Sequence, residues 1–264
     1  MISIIISTHK PEYFKAVKAN IEKTIGVAHE IIGIENHACY SICEAYNIGE
    51  SQAQYPYLCF VHEDVLFRTQ DWGKCLISVM EADQSIGLVG IAGTKFKSTY
   101  PTSSWGQSSF LRKFKRGHIF IYSDDSVEQH IEFDDSIQPK LLEEVVCIDG
   151  VFMFTKKEIY KSCRYDDNVF TNFHGYDLDF SLQVHLQSYK VLVHRGIELI
   201  HLSKGNYTPY FTLANRLIQK KWKSKLPVAS RDLGLNNYWL RYYNTVNSFI
   251  SYKDTLIRKI KKQL

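Results

Sequence analysis

A run of five apolar or aromatic residues, Tyr57-Leu58-Cys59-Phe60-Val61, stops abruptly on His62-Glu63-Asp64. A short apolar run of this kind reads as a strand buried on both faces. The acidic stop marks where its carboxyl end meets solvent. In open α/β sheets, ligands bind in the crevice at the carboxyl ends of the strands. Carboxylate oxygens and imidazole nitrogens placed there suit Mg²⁺ or Mn²⁺, ions that also bridge to phosphate oxygens. An isolated His-Glu-Asp is equally consistent with an acidic loop after a strand, so the order of the other segments has to decide.

That order is regular over the first third of the chain. Ile2–Ser7 is an apolar strand broken by Thr8-His9-Lys10-Pro11. Pro11 suits a first helical turn, and Phe14, Val17, Ile21 and Ile25 then fall at helical spacing up to Gly26. Glu30–Ile34 reads as a second strand closing on Glu35. Ser41 to Gln54 reads as a helix, weakened by Asn47 and Gly49. Asp71 can cap a helix carrying Trp72, Leu76 and Val79, and Ile86–Ile91 is a further strand. Strands alternating with helices predict a mostly parallel, doubly wound sheet with right-handed crossovers. Its ligand edge would gather Thr8, Glu35 and His62-Glu63-Asp64. Neither a dinucleotide-binding glycine fingerprint nor a P-loop is present, which argues against those two phosphate-binding modes.

From Thr94 to Pro139 the periodicity dissolves, and the segment reads as a long loop over the site. Trp105 within it is a candidate platform for a sugar or base. Regular structure returns at Glu144–Cys147 and continues through Ile148-Asp149-Gly150 to Phe154, where glycine lets backbone approach a ligand. Gly175 then precedes a helix with Leu178, Leu182 and Leu186 on its apolar side. Asp177 and Asp179 fall in its first turn, where the helix dipole favours carboxylates. Being two residues apart they point in different directions, so one faces the site while the other braces structure. Lys190–Val193 is another strand, and His201 ends the run Glu198–Leu202. A histidine there is either a satisfied core group or a metal ligand.

Composition is that of a soluble globular protein: 264 residues, 45% hydrophobic, 23% charged. There is no twenty-residue apolar run, and the N-terminus goes directly into a strand without a basic leader. The cysteines Cys39, Cys43, Cys59, Cys75, Cys147 and Cys163 include no CxxC pair and read as reduced, buried and cytosolic. Charge is uneven. Residues 216–264 hold twelve Lys or Arg against Asp232 and Asp254, a net +10, and the chain total of +4 leaves about −6 on the rest. An acidic body with a basic, aromatic tail is not a nucleic-acid-binding layout. It fits a tail resting on an anionic surface such as a membrane leaflet.

Five segments together carry a resemblance. They are Ile5-Ile6-Ser7-Thr8, Tyr46-Asn47-Ile48-Gly49, Phe60-Val61-His62-Glu63-Asp64-Val65, Ile148-Asp149-Gly150-Val151-Phe152-Met153 and His174-Gly175-Tyr176-Asp177-Leu178-Asp179. In this order they resemble nucleotide-sugar glycosyltransferases of the GT-A fold, family-2-like. Within that group they are most similar to a streptomycin-biosynthesis-type branch, and the last segment resembles one of β-1,4-galactosyltransferases. The third segment stands at the family's DxD position, with His62 in place of the first aspartate.

The resemblance implies an α/β, Rossmann-like GT-A fold over residues 1–215. Within it, 1–93 would be the nucleotide-binding half, 94–143 a variable loop region and 144–215 the acceptor and catalytic half. Residues 216–264 would be a helical, basic, aromatic extension. It implies transfer of a sugar from a nucleotide donor, UDP-linked in most relatives, to a glycan or lipid-linked hydroxyl, with inversion, in surface polysaccharide or glycolipid synthesis. Mn²⁺ or Mg²⁺ would sit on Asp64 and His201, with His62 a further candidate. Thr8, Glu35, Asn47, Glu63 and Asp64 would contact the nucleotide. Asp177 would be the general base, and Asp179 would bind acceptor or brace Asp177. Trp105, Asp149, Gly150, Gly175 and Tyr176 would border donor sugar and acceptor. The expected setting is cytoplasmic, at the inner face of a membrane, with no nucleic-acid partner; a homodimer through the aromatic tail is an alternative use of that surface. Two other readings compete, a non-catalytic binder of nucleotide sugar or glycan and a nucleotidyltransferase. The latter class carries a glycine-rich loop after its first strand, and Thr8-His9-Lys10-Pro11 has no glycine.

Overall fold

In the computed structural model the described residues are 1–101, 109–122, 128–132, 139–203 and 209–261. The elements run β1 (Ile2–Thr8), α1 (Pro11–Thr24), β2 (His29–Glu35), α2 (Ile42–Gln52), β3 (Tyr57–Val61), β4 (Val65–Phe67), α3 (Trp72–Ala82), β5 (Ile86–Gly90) and β6 (Ala92–Thr94). Next come β7 (Phe96–Lys97), a 3₁₀ turn at Ser109–Phe114, β8 (Lys115–Tyr122), β9 (Glu128–Glu132), β10 (Leu142–Val145), β11 (Cys147–Ile148) and β12 (Phe152–Lys156). The chain then forms α4 (Lys157–Ser162), α5 (Tyr176–Leu186), β13 (Lys190–His194), β14 (Leu199–His201), α6 (Pro209–Trp222), β15 (Val228–Ala229) and α7 (Asn237–Lys261).

A seven-stranded sheet in the order β10-β13-β5-β12-β3-β1-β2 forms the body. Strict period-two alternation explains why its strands read as unbroken apolar runs. Ile4 and Ile6 of β1, Cys59 and Val61 of β3, and Phe152 and Phe154 of β12 enter one core with Val17, Ile21, Trp72, Leu76 and Met80. Ile5, Leu58, Phe60 and Met153 enter the other with Tyr46, Tyr160, Phe180 and Leu182. Helices cover both faces, so both sets of side chains must be apolar. The mostly parallel sheet expected from the sequence is present, since only β10 and β12 oppose the other five strands. The order differs in one respect: β12 inserts antiparallel between β3 and β5. Helix α2 runs through Asn47 and Gly49 and starts with a capping box. Ser41 Oγ accepts from Glu44 N at 3.2 Å, and the Glu44 carboxylate accepts from Ser41 N at 2.7 Å.

Part of the long loop expected over residues 94–139 is instead built into a second sheet, ordered β11-β6-β8-β14-β4 with β9 on β8. Its strands are two to eight residues long and several are polar, so each carries too few alternations to register as a period. Trp105 lies outside the described residues. Among the chain's passages between the two sheets are those from β3 to β4, β5 to β6, β11 to β12 and β13 to β14. The His62-Glu63-Asp64 and Asp149-Gly150 segments are two of those passages.

The C-terminal extension is docked on this body, and α6 runs across the expected boundary at 215/216. Its last turn is held by Asp179 of α5, which is 1% exposed. The Asp179 carboxylate accepts from Trp222 Nε1 at 2.8 Å, Gln183 Nε2 at 2.8 Å and Lys221 Nζ at 2.9 Å. Lys221 also reaches Asp166 at 2.6 Å. Strand β15 pairs antiparallel with β7. Leu240 and Tyr243 of α7 rest on Phe96, Leu111 and Phe114, and Asn247 is buried on Ser98. The opposite face of α7 exposes Tyr238, Tyr242, Phe249 and Tyr252. Among the described residues no helix is long and apolar enough to cross a membrane. No cysteine is in a disulfide, but Cys39 is exposed, against the expectation that all would be buried, because it sits in the turn before α2 and not in an apolar run.

The Asp179 clamp makes a stability prediction. Asp179→Ala leaves the Trp222 indole N–H without its acceptor and Lys221 with Asp166 alone, a loss of about 1–3 kcal/mol. Urea unfolding should show that loss. A loss below about 1 kcal/mol, the worth of one ordinary hydrogen bond, would mean that α6 is held by its apolar contacts alone.

Candidate active site

The passage from β3 to β4 builds the first wall. Glu63 is buried, and its carboxylate is spent on the loop after β1. One oxygen accepts from Thr8 Oγ1 at 2.6 Å and from the backbone N–H groups of His9 and Lys10 at 3.1 Å each. The other lies 2.7 Å from His9 Nδ1. Thr8 and Glu63, both expected to touch a nucleotide, therefore satisfy each other and fix the loop beside the crevice. Glu35 pairs in register with Thr8 at the end of β2 and is exposed, so its carboxylate is open to solvent and to a ligand.

His62, Asp64 and His201 come together as the sequence suggested. Strand β14 pairs antiparallel with β4, setting His201 opposite Val65, and Leu202 N donates to Asp64 O at 2.8 Å. His201 Nε2 then lies 3.2 Å from Asp64 Oδ1. Donor atoms of all three residues lie within 4.8 Å of one another. Burial works against the Asp64 charge, yet the His201 hydrogen bond and the two neighbouring imidazoles outweigh it and hold the carboxyl well below the usual range. Burial would lower His201 too, but Asp64 and then Asp149 raise it. His62 is pushed down by burial and by His201. An ionised carboxylate with two imidazoles, one of them favouring the neutral form, is a chemically sound divalent-cation donor set. Binding a metal here would displace the proton held between Asp64 and His201.

Tyr176 joins this trio to the second wall. Its hydroxyl donates to Gly150 O at 3.0 Å and lies 2.8 Å from His62 Nε2. The hydroxyl has one proton, so His62 must be the donor through Nε2–H, which leaves Nδ1 with the lone pair. A metal-binding imidazole is ordinarily oriented in this way, by a hydrogen bond from its other nitrogen. Tyr46 backs Tyr176 edge-on at 5.7 Å. Gly150 has to be glycine, since a Cβ there would lie 2.1 Å from the Tyr176 hydroxyl. Gly175 caps α5 at φ +88°, in the left-handed region that glycine enters without strain.

Helix α5 separates its two acids. Asp179 is committed to the α6 clamp, which corrects the expectation that it serves catalysis: its buried carboxylate already accepts three hydrogen bonds. Asp177 is half-buried at the crevice. Burial first, and then the charge of Asp149, push its carboxyl up to about 7, although the backbone N–H groups of Leu178, Asp177 and Gly150 offset part of the rise. Asp149 is half-buried, and its Oδ1 accepts from Val151 N at 2.9 Å, so its charge is fixed within the passage between β11 and β12. Asn47, expected to touch ribose or base, is buried with both amide protons donated, to Tyr165 O at 3.0 Å and Asp167 Oδ2 at 2.8 Å, while its oxygen accepts from Tyr160. It ties α2 to the turn preceding α5.

One residue at the site gave no sequence signal. Lys97 is 2% exposed and is lowered to about 8 by burial, against the opposite charge of Asp177. A lysine in a polar stretch reads as solvated, and only the pairing of β7 with β15 buries it. A cleft of about 780 Å³ lies elsewhere, between α3 and the β10–β13 edge, and includes none of the predicted site residues.

A crystal structure of GalNAc-T7 with UDP, GalNAc and Mn²⁺ is similar over 85% of this chain and 48% of its own, at 9% identity and a TM-score of 0.58. The chain thus spans about half the length of that protein, and the likeness is one of fold, the Rossmann-like GT-A architecture. A structure of A197 from STIV aligns over 77% of this chain and 86% of its own at 14% identity, with a TM-score of 0.40, too low to bear on the fold. No curated protein matches the chain. The sequence profile of the glycosyltransferase-like family matches residues 3–214, the span that holds both sheets' passages and every wall of the crevice, and the chain belongs to that family.

Proposed function

We propose that the protein transfers a sugar from a nucleoside-diphosphate donor, with uridine the first candidate, to a hydroxyl of a glycan or lipid-linked acceptor, with Asp177 as the general base. The observation that carries this reading is the Tyr176 bridge. One hydroxyl bonds both His62 and Gly150, which supports a reading in which Asp177, the next residue of α5, faces the same crevice as the His62-Asp64-His201 trio. Donor activation and acceptor deprotonation, the two halves of a sugar transfer, then share one crevice.

His62, Asp64 and His201 would hold Mn²⁺ or Mg²⁺, whose charge would neutralise the departing diphosphate. The chain's own residues do the rest. The Thr8-His9-Lys10 loop, pinned by Glu63, shapes the nucleotide side, with Glu35 at its rim. Asp149-Gly150 borders the donor sugar. Asp177 takes the proton from the acceptor hydroxyl as it attacks, and a carboxylate tuned near neutrality is a better acceptor than one at its ordinary value near 4. A single base acting on the attacking hydroxyl produces inversion at the anomeric carbon.

The exposed aromatic face of α7 and the net +10 of residues 216–264 support peripheral contact with an anionic, cytoplasmic membrane leaflet, where a lipid-linked acceptor would be presented.

Three outcomes are expected. First, UDP should raise the melting temperature with Mn²⁺ but not with EDTA. At a hundredfold excess over Kd the gain is about 2.7 kcal/mol. Asp64→Ala should lose that gain and Asp177→Asn should keep it. Asp177→Asn should lower turnover by about 10²- to 10⁴-fold. Full nucleotide binding with no transfer by the native chain to any acceptor would favour the non-catalytic binder instead. Second, because the Asp177 value is raised, the base form is lost as pH falls. Turnover should drop about tenfold per unit below pH 7, rather than below 4, and product NMR should show an inverted anomer. A flat profile from pH 8 to 5, or a retained anomer, would remove Asp177 from this role. Third, replacing Tyr238, Tyr242, Phe249 and Tyr252 together by serine should abolish co-sedimentation with phosphatidylserine vesicles. Unchanged sedimentation, or a switch from dimer to monomer without any vesicle binding by the native chain, would reject the membrane contact.

A further inference from the structure

We propose that His118, His130 and Glu132 form a second metal site, for a borderline divalent cation such as Zn²⁺, on the β8–β9 hairpin and distinct from the His62-Asp64-His201 trio. The hairpin geometry brings these donors together. His118 and Glu132 are direct cross-strand partners, and Phe120 faces His130. With a side-chain period of two, residues 118 and 120 share one face with 130 and 132. His118 Nδ1 and His130 Nε2 each lie 3.9 Å from Glu132 Oε2. All three donor atoms lie within 4.8 Å of one another.

These distances are too long for hydrogen bonds. They are about 0.6 Å wider than the donor–donor spacing of about 3.3 Å around a tetrahedral zinc with bonds of about 2.0–2.1 Å, and the two imidazole nitrogens lie no more than 4.8 Å apart. Side-chain rotation closes that gap. The second observation is an unsatisfied imidazole. His118 is 9% exposed, and its Nε2 is buried without a hydrogen-bond partner. The nitrogen turned toward Glu132 is Nδ1, so the neutral ring with its proton on Nε2 keeps the Nδ1 lone pair for a cation. Burial also keeps His118 on the neutral side, the form that ligates, against the pull of Glu132.

The surroundings hold the other two donors in place. Glu132 Oε1 is taken by Arg195 Nη2 at 2.6 Å, which leaves Oε2 for the cation and fixes the carboxylate plane. The His130 ring stacks on Phe120 at 4.4 Å and 14°, and Arg68 lies 4.3 Å from the same phenyl ring. Two imidazoles and one carboxylate select zinc, cobalt or nickel over magnesium or calcium. A fourth position is left for water. A cation here would cross-link the edge hairpin of the second sheet. The bland alternative is a Glu132–Arg195 ion pair with two histidines nearby.

The test is a Zn²⁺ titration of the full chain by calorimetry after chelator treatment and dialysis, in native, Asp64→Ala, His130→Ala and doubly substituted forms. His130 is on the surface, so its replacement leaves the fold intact, checked by circular dichroism. The Asp64→Ala chain should still bind one Zn²⁺, and adding His130→Ala should weaken that binding at least tenfold. His130→Ala alone should leave the Mn²⁺-dependent UDP shift unchanged. No Zn²⁺ on the Asp64→Ala chain, or equal binding with and without His130, would overturn the proposal. If Asp64→Ala leaves Zn²⁺ stoichiometry unchanged while His130→Ala lowers it, the hairpin site stands and the reading of the first trio fails.

Discussion

The constraint on which the structure depends is that one chain must pass back and forth between two sheets. A strand that leaves a sheet abandons its ladder partners, and its backbone groups must find others. The protein solves this with short polar bridges. Asp149 N donates to Ala92 O, Val151 N is taken by the Asp149 carboxylate, and His62 N donates to Val151 O. The residues that make such bridges include the acids and the histidine that line the crevice. The crevice is therefore a consequence of the sheet passages.

Helix α5 shows how burial sorts chemically identical groups. Asp177 and Asp179 stand two residues apart in one first turn, under the same helix dipole. Asp179 meets Lys221, Trp222 and Gln183, and its charge becomes a structural clamp on α6. For Asp177, burial and the charge of another carboxylate, Asp149, outweigh the backbone N–H groups, so its neutral form is favoured up to near neutrality. The difference lies in the partners that tertiary structure supplies. It divides one acidic motif into a brace and a carboxyl raised toward neutrality.

The C-terminal extension, residues 216–264, is more closely joined to the body than its composition suggests. Lys95 pairs with Glu143 at 2.9 Å and with Asp232, tying β7 and β10 to the segment after β15. Strand β15 and helix α7 cover Phe96, Lys97 and Ser98, the stretch that runs from the second sheet toward residues 102–108. A basic tail by count is thus a docked element in fact, with one face on the body and an aromatic face turned outward.

By itself the sequence determined the alternation of strands and helices, the cores on both faces of the large sheet, and the carboxyl-edge position of His62-Glu63-Asp64. These follow from local periodicity, and residues 2–91 carry it without interruption. It also marked Asp149-Gly150 and Gly175-Tyr176-Asp177 through glycines beside acids. What only the tertiary structure decided was which of the marked residues face the crevice. Asn47 and Asp179 bear the motif's residue types yet spend every strong interaction on packing, whereas Lys97 bears no motif and is buried beside Asp177. The second sheet, assembled from strands too short to show a period, was hidden for the same reason. Side-chain partners and short edge strands are set by contacts between residues far apart in the chain, and no local pattern records them.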